Sequence, residues 1–321
     1  MNEASSASVV ICAYTQRRWD ELNAAIDSAL AQPETSEVIV VIDHEDLLLQ
    51  RLRDHRRDVT ALPNSMQQGL SGARNVGLAA ATRPIVAFLD DDAQAEEGWL
   101  AELLAPFSDE TVVGVGGRAD PIWPGEGAPV MLPVELLWVV GCTFRGQPTT
   151  LAPIRNVMGC SMAFSRDALT AVGGFNLDTG RIGTIPLGNE ETEVCIRITQ
   201  ADSTRRILFQ PASRIRHHVT PDRVTWRYLR RRSFFEGVSK AAVSRSLGAG
   251  DALSSERSYT TSILPSGVLR EIRAGRPLGA FAILLSLGSA GFGFAYGLLR
   301  GAKVSRAEAA PLVVSNGRRA A

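Results

Sequence analysis

Through the first third of the chain, short unbroken apolar runs alternate with stretches in which apolar residues recur at helical spacing. Ser8 to Tyr14 (SVVICAY), Glu37 to Asp43 (EVIVVID), DVTALPN and PIVAFLD are β-branched or apolar runs, and they predict buried strands. Between them, Trp19 to Gln32, which stops before Pro33, the LLLQRLRDH stretch and the small-residue segment Leu70 to Arg83 predict helices. Gly98 to Phe107 predicts one more helix and TVVGVGG one more strand. This alternation implies parallel strands joined by crossover helices, a Rossmann-like α/β half over residues 8–118.

After Asp120 the pattern changes. PIWPGEGAPVMLP and FRGQPTTLAP read as loops. Asn156 to Phe175 reads as a strand running into a helix that Gly173 ends, and Gly188 to Gln200 as a turn and a helix with acids in its first turn. RILFQP predicts a strand, and RVTWRYLRRRSFFEGVSKAAVSR a long basic helix. Residues 119–245 thus form a second half, and 246–321 a helical extension. Within the extension, Leu278 to Leu299 runs 22 residues without a charge between Arg276 and Arg300. That length suits membrane contact, either spanning or lying on the surface. Residues 301–321 read as a loose polar tail.

Composition adds bounds. The 321 residues are 45% hydrophobic, enough for a sizeable core. Lys and Arg balance Asp and Glu at 34 each, so net charge says nothing about nucleic acid; Arg instead clusters between Arg205 and Arg232. Cys12, Cys142, Cys160 and Cys195 are far apart, with no CxxC pair, and read as buried thiols of a reducing compartment. The N-terminal stretch lacks the basic and apolar regions of a signal peptide.

Four constellations can carry chemistry. The strand IVAFLD ends in Asp90, Asp91 and Asp92. In an extended segment Asp90 and Asp92 share a face while Asp91 turns aside. Such a pair suits Mg²⁺ or Mn²⁺ with a diphosphate, although a solvated turn or helix cap explains it equally well. An EF-hand is excluded, because the loop lacks the required Gly and Glu. GLSGARNVGL places Gly69 and Gly72 at a helix start, where Arg74 and Asn75 can add donors to a phosphate or base, although a tightly packed small-residue helix explains it equally well. Glu190 and Glu191 open a helix, where one can act as a general base or both can simply serve the helix dipole. One of His217 and His218 can ligate a metal or reach a diphosphate, or be structural, and the row of arginines after them suits a diphosphate, an anionic acceptor or lipid headgroups, or is simply a solvated basic face.

In order, CAYTQRR, VVIDH, GLSGARNVG, FLDDDA, VMGCSMAFSRDAL, VGGF, GNEETEVCIR and RIRHHV resemble family-2 glycosyltransferases of the GT-A fold, over about Ser8 to Arg245. The resemblance is nearest to the group of glucosyl-dolichyl-phosphate glucuronosyltransferases. It implies an α/β GT-A fold with a mostly parallel central sheet flanked by helices and a C-terminal helical extension. It places Ala13, Tyr14, Thr15 and Asp43 around the nucleoside, with Arg74, Asp90 and Asp91 near the nucleotide. It implies Asp92 and Asp90 as ligands of a divalent metal, Mg²⁺ or Mn²⁺, with His218 as a further ligand. Asn156, Gly159, Cys160, Ser161 and Arg232 would border the donor sugar and acceptor. Glu190–Glu191 stands where the family has Glu-Asp, so Glu191 matches the base and Glu190 its neighbour. The QxxRW motif of processive synthases is missing, which implies single-sugar transfer.

The expected partners are a nucleotide-sugar donor and a lipid-linked or membrane-near acceptor, with no nucleic acid. The expected place is the cytoplasmic, inner face of the cell membrane. Changing Asp92 to Asn is expected to reduce turnover without unfolding the chain. Two other readings stand beside this one, a non-catalytic nucleotide-sugar-binding protein at a membrane and a sugar-nucleotide nucleotidyltransferase. The Gly-rich N-terminal signature of the latter is missing.

Overall fold

The computed structural model of the chain describes residues 6–178, 188–248 and 254–300. Its first half follows the apolar runs closely. Strands β1 (Ala7–Ala13), β2 (Thr35–Ile42), β3 (Thr60–Pro63) and β4 (Ile85–Asp90) alternate with helices α1 (Trp19–Leu30), α2 (Asp46–His55) and α3 (Leu70–Ala80). These four strands lie parallel in the order β3-β2-β1-β4. The runs carry no polar alternation because both faces of the strands are covered. Val9, Ile11, Val38 and Val40 pack toward α1, α2 and α4 (Trp99–Leu104). Val10, Ile39, Val41 and Phe88 pack on the opposite side, toward α3, α5 (Arg166–Ala171) and α6 (Glu190–Ala201).

The sheet then departs from simple parallel winding. After β5 (Ala93–Ala95) comes β6 (Val112–Ile122), which does not join β4. The later strand β8 (Ser161–Ser165) inserts between them, antiparallel to both. β9 (Arg206–His218) extends much further than RILFQP suggested, pairing with β6 on one side and with β5 and the two-residue β7 (Ala152–Pro153) on the other. The short strands β5 and β7 lie in segments too small for a periodic signal. Between the two stretches read as loops lies a 3₁₀ turn, Val134–Val140, that the sequence reading left unassigned.

The C-terminal part is helical: α7 (Trp226–Leu247), α8 (Ser254–Ser258), a π turn Tyr259–Ile263, α9 (Leu264–Arg273) and α10 (Pro277–Arg300). It shares a core with the main body, where Leu136, Val139, Val219, Leu229, Leu264 and Ile283 pack together. Buried Glu135 is ion-paired with Arg270, fastening α9 to the 3₁₀ turn. The α7–α10 contact is close because small residues line it. A side chain at Gly237 would fall on the Ala290 carbonyl, and one at Gly293 on the Phe234 carbonyl. Gly293→Leu therefore forces the two helices apart. A destabilisation of about 1–3 kcal/mol is expected, read as a lower thermal unfolding midpoint. The polar tail of residues 301–321 lies outside the described residues.

Candidate active site

The carboxyl ends of β1, β2 and β4 open into one cavity of about 820 Å³, where ligands of such sheets are expected. Ala13, Tyr14, Asp43, Arg74, Asp90, Asp91 and Asp92 line its sheet side. Asn156, Gly159, Cys160, Glu190, Glu191 and Arg232 line the opposite walls. Fold closure thus brings together residues up to 219 positions apart in sequence.

Asp43 ends β2, and its Oδ1 accepts from Asn64 Nδ2 (2.7 Å) and from the Gly69 amide (3.1 Å). It is thereby held rigidly at the mouth of the α3 N-terminus. Asn156 is oriented locally, its Oδ1 accepting from Arg155 Nε at 2.9 Å. The Cys160 thiol lies 3.3 Å from the Gly141 carbonyl, and burial pushes its pKa well up, so it packs as an inert thiol. Arg232 donates to Glu236 at 2.8 Å and stacks over Trp138.

Asp92 is the hub of the acidic cluster. Its Oδ1 sits 3.1 Å from His217 Nε2, and its Oδ2 sits 3.0 Å from Arg18 and 3.4 Å from Arg223. Burial alone would raise the Asp92 pKa, but His217, Arg223 and Arg18 outweigh it and hold the carboxylate well below its usual range. Burial likewise opposes the charge on His217, and contact with Asp92 overcomes this and pushes the imidazolium up to about 10. Asp91, hydrogen-bonded to Arg18 at 2.8 Å, moves the other way. Burial, aided by repulsion from Asp92 and Asp90 against the pull of Arg18, raises it to about 7. Asp90 stands at the rim with 31% of its side chain exposed.

Ligand atoms of Asp90, Asp92 and His217 lie within 4.8 Å of one another. Among the described residues Asp92 Oδ2 is buried without a hydrogen-bond partner, although the two arginines neutralise it. Two carboxylates that leave room for phosphate oxygens match what Mg²⁺ and Mn²⁺ take, so the residues fit a divalent cation. His217 would enter that shell only by giving up the proton it shares with Asp92.

Arg74 is almost fully buried and ties the two acidic groups together. It donates to Glu190 Oε1 (2.8 Å) and to the Gly159 carbonyl (2.8 Å), and it lies 3.4 Å from Asp90. Glycine at 159 leaves room for this approach, because a Cβ there would stand 2.9 Å from the guanidinium. Its neighbour Glu191 is half-buried in the cavity wall. Burial, then the charge of Glu190, raise its carboxyl to about 8. The two glutamates are thereby pushed apart in character, one an ion-paired anchor and the other a carboxyl that titrates near 8.

Several expected site residues stand elsewhere. His218 is not beside the acids: it points outward and pairs with Glu21 at 3.5 Å, because neighbours on a strand face opposite ways and β9 turns His217 inward. Ser161 is fully buried on the far side of β8, accepting from the Trp99 indole at 2.9 Å. Thr15 does not line the cavity; its hydroxyl caps the 3₁₀ turn Gln16–Arg18. Arg74 lines the cavity, but its donors are engaged by the protein instead of being left for a nucleotide. Sequence reading took His218 where His217 stands against Asp92, and it missed Arg18 and Arg223 around that acid and Arg155, Lys240 and Glu256 in the far wall. Arg18 lay within the quoted CAYTQRR stretch, but nothing local linked it to the acids.

A metal-compatible acid pair at the strand ends and a separate carboxyl of raised pKa share one cavity, an arrangement that fits a transferase site of the GT-A type. The family model for glycosyl transferase family 2 matches residues 8–173. The chain is 30% identical over 304 residues to a glucosyl-dolichyl phosphate glucuronosyltransferase of Haloferax volcanii, covering 91% of this chain and 96% of that one. It is 26% identical over 247 residues to a succinoglycan biosynthesis protein of Rhizobium meliloti, covering 74% of each. A mannosyltransferase of Pyrobaculum calidifontis, solved with GDP-Man and Mn²⁺, superposes with a TM-score of 0.59 at 16% identity, over 93% of this chain and 88% of that one. GalNAc-T7, solved with UDP, GalNAc and Mn²⁺, superposes with a TM-score of 0.52 at 17% identity, over 85% and 58%. The chain belongs to glycosyl transferase family 2, and its fold is GT-A.

Proposed function

We propose that the protein moves one sugar from a nucleoside-diphosphate donor onto a hydroxyl of a lipid-linked acceptor, with inversion at the anomeric carbon, at the inner face of the cell membrane. The observation that carries this reading is the shared cavity. Its sheet side holds Asp43, Asp90 and Asp92, its wall holds Glu191, and its far end reaches the apolar side chains of Leu287, Ala290 and Phe294. The likeness to an enzyme named for a dolichyl-phosphate-linked substrate supports the acceptor class.

In this reading Asp43 receives the base and Ala13 and Tyr14 flank the nucleoside. Asp90 and Asp92 would hold a divalent cation, which would supply neutralisation of the diphosphate's charge. Glu191 takes the acceptor hydroxyl's proton as the oxygen attacks. Arg74 keeps Glu190 and Asp90 in place, and Glu190 holds the Glu191 carboxyl at a raised pKa. Asn156, Gly159, Cys160 and Arg232 border the sugar and acceptor.

The pH dependence follows in sign. A base must be unprotonated, so kcat/KM should rise with pH and reach its half-maximum near 8, the value that burial and Glu190 give Glu191. Glu190→Gln removes the largest charge that raises it and should move that limb to lower pH. For stability the same shift acts in reverse. The folded state holds the Glu191 proton up to about 8, while the unfolded chain loses it near 4.5, so this group's contribution falls as pH rises between those values.

The deciding experiment supplies a panel of nucleotide sugars with Mn²⁺ or Mg²⁺ and polyprenyl-phosphate-linked sugars, and follows release of nucleoside diphosphate. Metal-dependent release with one donor, coupled to a lengthened glycolipid, is expected. Nucleotide binding without turnover on any acceptor would instead favour a non-catalytic binding protein.

A further inference from the structure

Helix α10 is apolar on two faces, and the fold covers one of them. Ala282, Ile283, Ser286, Gly293 and Gly297 turn toward the protein, while Phe281 (55% exposed), Leu284 (55%), Phe292 (69%) and Leu299 (87%) form an uncharged stripe facing outward. By length and composition alone the helix could cross a membrane.

Its neighbour argues against crossing. Helix α7 runs alongside α10 in the same direction over nearly its whole length. The contacts advance in register: Trp226 against Phe281 (5.6 Å between rings), Ser233 Oγ to Ser286 Oγ (2.8 Å) and Arg245 to the Gly297 carbonyl (2.6 Å). If α10 spanned a bilayer, α7 would have to enter with it. That would carry exposed Arg227, Arg230 and Arg231 into hydrocarbon, where charged side chains are strongly disfavoured. These three arginines instead border a groove shared with Phe234, Phe281, Leu284 and Phe292. An apolar stripe beside a row of cations is the pattern of a helix lying at a lipid surface.

We propose that α10 lies in the plane of an anionic membrane, its Phe281–Leu299 stripe dipped below the headgroups and Arg227, Arg230 and Arg231 set against lipid phosphates. This deepens the membrane-facing reading above and rests on it for the acceptor's origin. The surface is the membrane's and not that of a second copy, because a self-complementary contact here would crowd two rows of arginines together. The placement also has a consequence for catalysis. Leu287, Ala290 and Phe294, on the other side of the same helix, line the cavity that holds Asp90 and Glu191, so the helix set on the membrane also walls the active-site cavity.

The test uses the full chain with vesicles of phosphatidylcholine alone or mixed with phosphatidylglycerol, followed by flotation. Binding at least tenfold stronger to the anionic vesicles is expected, weakening with salt and reversed by alkaline carbonate. The double variant Phe281→Glu/Phe292→Glu should lose binding to both kinds. The triple variant Arg227→Ser/Arg230→Ser/Arg231→Ser should fall to the level on neutral vesicles. Nucleotide binding by calorimetry should be unchanged in both variants, which separates this result from misfolding and from failure of the transferase reading. Absence of vesicle binding, or retention through carbonate with no effect of the variants, would overturn the proposal. So would a dimer in solution that the Phe variants dissociate, since a second copy would then cover this face.

Discussion

Glu191→Gln is expected to lower kcat by about 10²–10⁴-fold, the range that a positioned general base supplies, with donor binding intact. The substitution keeps side-chain volume and removes only the capacity to accept a proton. Because the folded structure raises the Glu191 carboxyl to about 8, the protein already tolerates a neutral side chain there. The variant should therefore match the parent's stability near pH 4.5 and become increasingly more stable than it as pH rises toward 8, because over that range only the unfolded parent gains by losing the proton. Glu190→Gln should behave differently. It leaves the base in place but strips Arg74 of its closest partner, at 2.8 Å, so a buried guanidinium loses compensation and stability falls. Paired rate and unfolding measurements on the two variants decide the assignment. A fully active Glu191→Gln beside an inactive, well-folded Glu190→Gln would transfer the base to Glu190.

The acidic cluster gives the second large effect, and its two members should separate. Asp90→Asn is expected to abolish most metal-dependent turnover with a small change in stability, because Asp90 is at the rim and its ion pair with Arg74 is long, at 3.4 Å. Asp92→Asn should abolish turnover and also destabilise the fold by about 3–5 kcal/mol, since Arg18, His217 and Arg223 all lose their buried anion. This revises the expectation from sequence that Asp92 could be neutralised without affecting folding. Thermal unfolding of both variants, with Mn²⁺ titrated against nucleoside-diphosphate release, is the check. An Asp90→Asn enzyme with the parent's metal requirement would remove Asp90 from the ligand set.

The extent to which the site was legible follows from the range of the interactions. Asp43 and Asp90–Asp92 were readable because strand ends and acid runs are local features. Glu190 and Glu191 were readable because a helix start is local too. The choice between His217 and His218 was not, because both occupy the same sequence signal. It took the pairing of Ala93 with His217, made between β5 and β9, to turn one ring onto Asp92. Ser161 was misplaced for a similar reason: the run Asn156 to Ser161 contributes Cys160 to the cavity, but the next residue along β8 faces the opposite side.

By itself the sequence determined the alternating α/β half, the acids at its strand ends and the helix-start glutamates, together with an apolar C-terminal helix. Each of these is written in side-chain periodicity over a few turns or a single strand. The tertiary structure alone decided that β8 separates β4 from β6 and that three cations neutralise Asp92. It also decided that Arg74 bridges the two acidic groups and that α7 lies beside α10. These are contacts between residues from 16 to 131 positions apart, and local propensity carries no information about which distant surfaces meet. What selects them is burial: a charge removed from water needs an opposite charge nearby, and the folded chain supplies one.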